Sequence, residues 1–323
     1  MESLFRITYP NYTVILIDNA SEDDSLAQIH AYCAGKVRSE SVFFEYDLKN
    51  KPIKILEYSR AESEAGEDRI DEILNIPSNR KMVLIKNERN YGFAEGNNIG
   101  IRFAIHTINS DYILLLNNDT AVDKDFLDEL VKVTKKDKMI GFVGPKIYYY
   151  NRKGRTDIIS HAGGTLSYWR AELWHIGDDE VDTGQYNEIR EVNYLTGACL
   201  LVPRSVINHI GLLNSEYFLY WEDTDWCIRG GRFGYKCLYV PKAQIWHKIG
   251  GSNISTITEY YSIRNRFFFM RDNAPRFFLF TFLMYYFGYK FWRMCFSRLI
   301  DHKNPLLFKA VVRGTIDGLR YKR

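Results

Sequence analysis

The sequence predicts an α/β fold, a mostly parallel doubly wound sheet followed by a basic, aromatic-rich helical extension. Three observations predict it. Short apolar runs alternate with stretches of helical length through the first half of the chain. Asp18, Asn90 and Asp119 fall just past the ends of such runs, where sheets of this type bind ligands. Charge then changes along the chain: Tyr260–Arg323 holds 13 Lys/Arg against 3 Asp/Glu, and the remainder 30 against 37.

The elements follow in order. Tyr12–Ile17 (YTVILI) is a β-branched run stopping at Asp18-Asn19-Ala20-Ser21, a buried strand and then a polar loop. Ser25–Ala34 fits a short helix. Residues 36–80 are charged and weakly periodic, and read as an insertion at the fold's edge, a hairpin plus a helix. Met82–Lys86 is the second strand. Asn90–Gly100 (NYGFAEGNNIG) is a glycine-rich loop entering a helix that runs to about Thr107. Tyr112–Leu116 is a third strand, leading through Asn117-Asn118-Asp119-Thr120 to a helix over Lys124–Thr134 and a strand over Ile140–Ile147. After a mixed stretch, Val192–Pro203 reads as a strand kinked at Gly197. Tyr217–Arg229 sets acids in an aromatic frame, Tyr235–Val240 is a strand, and Ile245-Trp246-His247 closes the unit.

A chain of 323 residues with 46% apolar content has material for a large core, which excludes global disorder. Its five cysteines form no CxxC pair and no secretory signal stands at Met1, as in a cytoplasmic protein with reduced thiols. The basic tail calls for an anionic surface. Because its cations interleave with apolar runs, that surface is a membrane rather than a nucleic acid. Phe277–Phe296 has nearly the length of a spanning helix, but Lys290 and Arg293 interrupt it. It reads as an interfacial helix, with a helix packed on the main domain as the alternative.

Two acidic positions carry the chemistry. Asp119 after a buried strand can ligate a divalent cation bridging a diphosphate, or simply cap a helix. Glu222, Asp223 and Asp225 sit beside Tyr220, Trp221 and Trp226. They are either helix-start acids or include a general base of raised pKa, with aromatics offering a face to a sugar ring. His247 is a structural hydrogen-bonder or a further contact to the cation. In the 90–100 loop, backbone N–H groups and a helix start can meet phosphate or ribose oxygens.

In this order, TYPNYTVILIDNAS (8–21), NYGFAEGNNIG (90–100), YILLLNNDT (112–120), YLTGACLLVPR (194–204), YFLYWEDTDWCIRGGRFGY (217–235) and IWHKIGGS (245–252) resemble the family 2 glycosyltransferases of the GT-A fold. The rhamnosyltransferase-like and galactofuranosyltransferase-like members are the most similar group. The resemblance implies a catalytic domain over 1–260 and a membrane-associated helical region over 261–323. It places Asp18, Asn90, Gly92, Phe93, Asn97 and Asn118 around the donor nucleotide. Asp119 is similar to the last carboxylate of the family's DxD metal motif, with Asn117 in the first position and His247 as a further ligand of Mg²⁺ or Mn²⁺. Asp223 matches the catalytic base, with Glu222 beside it, and Trp221 and Gly197 face the acceptor. Arg229 is structural or faces the diphosphate.

The implied reaction is an inverting transfer of a sugar, rhamnose among the candidates, from a nucleotide-sugar to a glycan or lipid-linked saccharide at the inner face of the cell membrane. No Q-x-x-R-W motif is present, so few sugars per acceptor are expected. One departure stands out: the family's first strand, central in its sheet, has no counterpart before Met1-Glu2-Ser3-Leu4. An upstream segment is therefore expected. A sugar-nucleotide pyrophosphorylase and an inactive nucleotide-sugar-binding scaffold are the rival readings.

Overall fold

The structure, a computed structural model, describes residues 1–66, 70–249 and 255–322. The first half comprises β1 (Val14–Asp18), α1 (Ser25–Cys33), β2 (Lys54–Ser59), α2 (Arg60–Ala65), α3 (Ile70–Leu74), β3 (Lys81–Lys86) and α4 (Gly92–His106). Its three strands pair in parallel in the order β1-β3-β2. Met82–Ile85 of β3 are fully buried, as a central parallel strand requires.

Among the described residues of the 36–80 stretch, no hairpin pairs with β3. It supplies β2, which pairs in parallel with β3 over its whole length. Leu56, Tyr58 and Ile73 join Val83, Ile85 and Phe103 in one buried cluster. The alternation of buried Leu56 and Tyr58 was the available signal; the charged flanks masked it.

The second half comprises β4 (Tyr112–Leu116), β5 (Thr120–Val122), α5 (Phe126–Thr134), β6 (Ile140–Tyr149), β7 (Ile158–His161), β8 (Gly164–Ser167), β9 (Glu172–His175), β10 (Glu180–Val181), β11 (Arg190–Glu191), β12 (Cys199–Pro203), α6 (Arg204–Ile210), α7 (Glu222–Arg232) and β13 (Lys236–His247). An eight-stranded sheet is built around β6. Parallel pairing recurs there only between β6 and β13; the other ladders are antiparallel. Only Cys199–Pro203 of the expected 192–203 strand is extended in a ladder. Gly197 lies before it, because its N–H goes to the Asp223 side chain rather than to a neighbouring strand.

Ile15 of β1 packs into the same cluster as Ile113 and Leu115 of β4. No ladder joins those strands among the described residues, so the sheet is divided there. Val14–Ile17 are all half-exposed, unlike β3.

The C-terminal region is α8 (Thr256–Asn273), α9 (Arg276–Tyr285), α10 (Phe291–Phe296) and α11 (Pro305–Arg320), with π-helical turns at Tyr286–Lys290 and Ser297–Asp301. Glycines let α11 lie close on α8: a Cβ at Gly314 would stand 2.8 Å from the Tyr260 carbonyl, and one at Gly318 2.7 Å from the Phe267 ring. Phe267, Phe282, Tyr286 and Val311 form the core between these helices. Residues 277–296 are thus packed on one side, while Phe280, Met284, Trp292 and Phe296 remain exposed on the other. No helix among the described residues is long and apolar enough to cross a membrane.

This region also reaches back into the main domain. Phe218, Tyr220 and Trp221 all have φ between 62° and 76°, a left-handed conformation costly for non-glycine residues. From α8, the Asn265 amide donates to the carbonyls of Tyr217, Leu219 and Tyr220 at 2.7, 2.8 and 2.8 Å. Arg264 Nη2 donates to the Glu216 and Tyr217 carbonyls at 2.6 and 2.9 Å.

Two stability predictions follow from these contacts. Leu56→Ala should cost about 2–5 kcal/mol in urea unfolding; a loss below about 1 kcal/mol would place the 36–80 stretch outside the core. Asn265→Ala leaves buried carbonyls without a donor and should cost about 2–4 kcal/mol. An unchanged unfolding midpoint would mean that the 217–221 loop holds itself.

Candidate active site

The β5–β13 ladder pairs Thr120 with His247 and so brings the end of β13 to the turn after β4. His247 Nε2 lies 2.9 Å from Asp119 Oδ1 and 3.4 Å from Asn117 Nδ2. The Lys248 N–H donates to the Asp119 carbonyl at 2.9 Å. Partial burial works against ionisation of Asp119, but the His247 ring and Lys248 outweigh it and hold the carboxyl below its usual range. Asn118 is exposed on the same turn.

These residues fit a divalent cation. An O···N separation of 2.9 Å is also the spacing of neighbouring ligands on a cation bound at roughly 2.1 Å. A carboxylate and an imidazole suit Mn²⁺, and Asn117 adds an amide. Among the described residues no group of three or more His, Cys, Asp or Glu could hold a metal ion. Gly250-Gly251-Ser252, at the end of the IWHKIGGS motif, lie outside the described residues.

The second centre is the start of α7. Asp223 is half-buried, and its Oδ2 accepts the Gly197 N–H at 2.8 Å while Oδ1 accepts the Thr224 N–H at 2.6 Å. Desolvation nevertheless raises its pKa, with the Gly197 and Thr224 bonds and nearby His175 opposing. Glu222 is 4% exposed, and its Oε2 is buried without a partner. Burial, then Asp223, push its pKa far above the ordinary value. Both causes favour its protonated form, next to the candidate base.

The two centres meet at two neighbouring residues, Gly197 and Ala198. The Asn117 N–H donates to the Ala198 carbonyl at 3.0 Å, and Gly197 binds Asp223. Phe93 completes the group, since a Cβ at Gly197 would stand 3.1 Å from its ring. Positions 93, 117, 119, 197, 223 and 247 are therefore joined by direct contacts.

The donor-side residues divide. Asp18 ends β1, is 7% exposed, and accepts the Ser21 N–H at 3.2 Å. Asn90 Oδ1 accepts the Gly92 N–H at 2.8 Å, and Asn97 Nδ2 donates to the Phe93 carbonyl at 2.8 Å, so both organise the loop. The helix-start N–H groups expected to meet phosphate are already engaged: Phe93 and Ala94 donate to the Phe218 carbonyl at 2.6 and 3.3 Å. Gly92, at φ 79°, is required there because a Cβ would lie 2.5 Å from Phe218. The donor loop thus docks on the acid loop.

Trp221 is not an open platform for an acceptor. It is 6% exposed and packs on Phe269 of α8 at 5.0 Å between ring centroids, because its left-handed backbone turns it into the helical region. Tyr220, 39% exposed, is the accessible aromatic beside the acids. Arg229 is structural: it donates to Asp225 at 2.9 Å and to the Ile210 and Leu212 carbonyls, each at 2.7 Å. Three contributors escaped the sequence reading. Asn19 bridges the Gly92 carbonyl and Asn87 at 2.9 and 2.7 Å, and its place beside Asp18 was the signal. His175 near Asp223 and Asn265 on α8 had none.

The glycosyltransferase-like family 2 model matches residues 52–267. The low-salt glycan biosynthesis hexosyltransferase of Haloferax volcanii is 26% identical over 69% of this chain and 72% of its own length. The dTDP-rhamnosyl transferase of Shigella flexneri is 26% identical over 60% of this chain and 64% of its own. The N-acetylglucosaminyl-diphospho-decaprenol L-rhamnosyltransferase of Mycobacterium tuberculosis is 27% identical over 42% of this chain; the match spans 47% of that relative, under half its length. Among solved structures, GalNAc-T7 with UDP, GalNAc and Mn²⁺ aligns at TM-score 0.49 with 18% identity, over 80% of this chain and 47% of that one. With the family matched over most of its length, the chain belongs to glycosyltransferase-like family 2 and is a glycosyltransferase.

Proposed function

We propose an inverting transfer of one sugar, of the rhamnose type, from a nucleoside-diphosphate donor to a hydroxyl of a lipid-linked or surface glycan. The observation that carries this reading is the half-buried Asp223 carboxylate on the Gly197 N–H, one residue from the Ala198 carbonyl that holds Asn117 beside Asp119 and His247. The names of the Shigella and Mycobacterium relatives support the sugar and the lipid-linked acceptor.

Asp223 accepts the proton of the acceptor hydroxyl. The freed oxygen pair bonds the anomeric carbon as the bond to the nucleoside diphosphate breaks on the opposite face, which inverts the configuration. Desolvation makes Asp223 a stronger base than a water-exposed aspartate, and the Gly197 N–H fixes its position. Burial and Asp223 favour the protonated form of Glu222, which adds no charge to repel an anionic donor. Asp119, His247 and Asn117 would hold Mg²⁺ or Mn²⁺, which when bound neutralises charge on the diphosphate. Asp18 and the 90–100 loop border the nucleoside.

The chain works at the inner surface of a membrane in this proposal. Phe280, Met284, Phe287, Trp292, Phe296 and Leu299 are 39–65% exposed along α9, α10 and the π turns. The extra residue of the first π turn keeps Trp292 on the stripe with Phe287. Apolar side chains with Arg276, Arg293 and Lys303 nearby are the composition of an interfacial helix.

Asp223→Asn should lower kcat at least ~10³-fold while donor affinity is kept. In the native protein kcat/KM should fall as pH drops through a pKa above the usual aspartate range, because the protonated form is no base. An acid limb at or below pH 4, or an active Asn variant, would remove Asp223 from this role. Phe280→Ser/Trp292→Ser/Phe296→Ser should weaken sedimentation with anionic vesicles at least ~10-fold at unchanged Tm. Unaltered sedimentation would end the membrane reading.

A further inference from the structure

A cleft of about 470 Å³ opens between α8 and the α10 segment, away from the acid loop that Asn265 braces. Arg266 lines it together with Lys290, Arg293 and Arg298. Glu259 and Asp301 are its acids. The cations differ in their commitments. Arg298 donates to both Glu259 oxygens at 2.9 and 3.2 Å. Lys290 donates to Glu172 at 2.7 Å, which also accepts from Tyr285 at 3.2 Å. Arg293 is exposed at the rim, as is Asp301.

Arg266 is the anomaly. Its Nε and Nη1 are shut off from solvent, and neither has a hydrogen-bond partner. Burial disfavours its charge, and Tyr286, Glu172, Tyr285 and Glu259 compensate only in part. Arg266 is half-buried, and guanidinium nitrogens that leave water without gaining a partner are costly. Both nearby carboxylates are already held by other cations, which leaves these two nitrogens free to meet an added anion. Phosphate oxygens are the anionic match for a guanidinium with a second arginine beside it.

The position of the cleft says what carries that phosphate. Phe296 and Met294 form part of its wall, and Phe296 is 61% exposed on the same apolar stripe as Trp292. An anion seated on Arg266 would have apolar side chains at the mouth of its pocket. We infer that this cleft binds the phosphate or diphosphate head of a lipid, with Arg266 at its base, Arg293 at its rim and Phe296 against the lipid's apolar part. The lipid half of this inference rests on the membrane reading above; the anion half does not.

The test uses the full chain in EDTA, so that the Asp119–His247 centre binds no metal diphosphate. Inorganic diphosphate at ten times its Kd should raise Tm by about 2 °C. Arg266→Met should lose that response and, without diphosphate, melt at or above the native Tm, since it removes an uncompensated charge. Arg293→Gln, at an exposed position, should weaken the response about tenfold. Vesicles of phosphatidylcholine with phosphatidic acid should bind at least tenfold more tightly than vesicles with phosphatidylserine at equal surface charge. Arg266→Met should abolish that preference and keep the residual binding, whereas the apolar-stripe variant loses binding to both. A Tm response to diphosphate without the phosphatidic acid preference would overturn the lipid assignment. No Tm response in the native protein, or an Arg266→Met chain that melts well below it, would overturn the site.

Discussion

One side-chain amide holds the reactive centre in shape. Asn265 of α8 satisfies three carbonyls of the loop before α7, and that loop places Phe218, Tyr220 and Trp221 in left-handed backbone conformations. Each such residue costs roughly 1–2 kcal/mol. The conformation persists because Asn265, Arg264 and the packing of Trp221 on Phe269 over-determine it. What it secures is the direction of two groups. The Phe218 carbonyl receives the N-terminus of α4, and α7 begins with Asp223 facing Gly197. The C-terminal helices thus brace the loop that carries the acids of α7. The Gly314 and Gly318 contacts that seat α11 on α8 act on the acid loop through the same helix.

Electrostatics separates the two acidic centres. Asp119 is partly exposed beside His247 and Lys248, and stays ionised. Glu222 and Asp223 stand at a helix start, where the macrodipole favours carboxylates, yet burial dominates and raises both. The result is a carboxyl held low on one side, and on the other a carboxyl whose proton affinity is raised by desolvation. Asp225, third in the acidic run, has a different part. Arg229 and Asn273 bind it at 2.9 and 2.7 Å, and it ties α7 to α8.

The divided sheet gives the molecule its other asymmetry. Asp18 and Asn19 stand at the end of the β1-β3-β2 sheet, whereas Asp119 and His247 stand at the sheet built on β6. Between them, α4 is the shared element: Gly96 and Gly100 allow Asn19 and Ile17 to approach, while Asn98 binds both backbone groups of Leu213. Relative placement of the two halves therefore depends on one helix and its close glycine contacts, since no ladder joins β1 to β4 among the described residues.

Local sequence was enough to determine much of this. Apolar runs of strand length set β1, β3, β4 and β6 to within about two residues, and the order of Asp18, the 90–100 loop, Asp119, Asp223 and His247 identified the family. Burial and partner choice were decided only by tertiary structure, because each depends on residues far away in the chain. Trp221 reads as an exposed platform until Phe269 covers it. The α4 N-terminus reads as a phosphate site until Phe218 occupies it. The 36–80 stretch reads as an insertion until β2 pairs with β3. No local pattern announces that Asn265 lies under Tyr217–Tyr220, or that Arg266 is left without a counterion. Those outcomes belong to the packing of α8, whose two faces meet different parts of the chain.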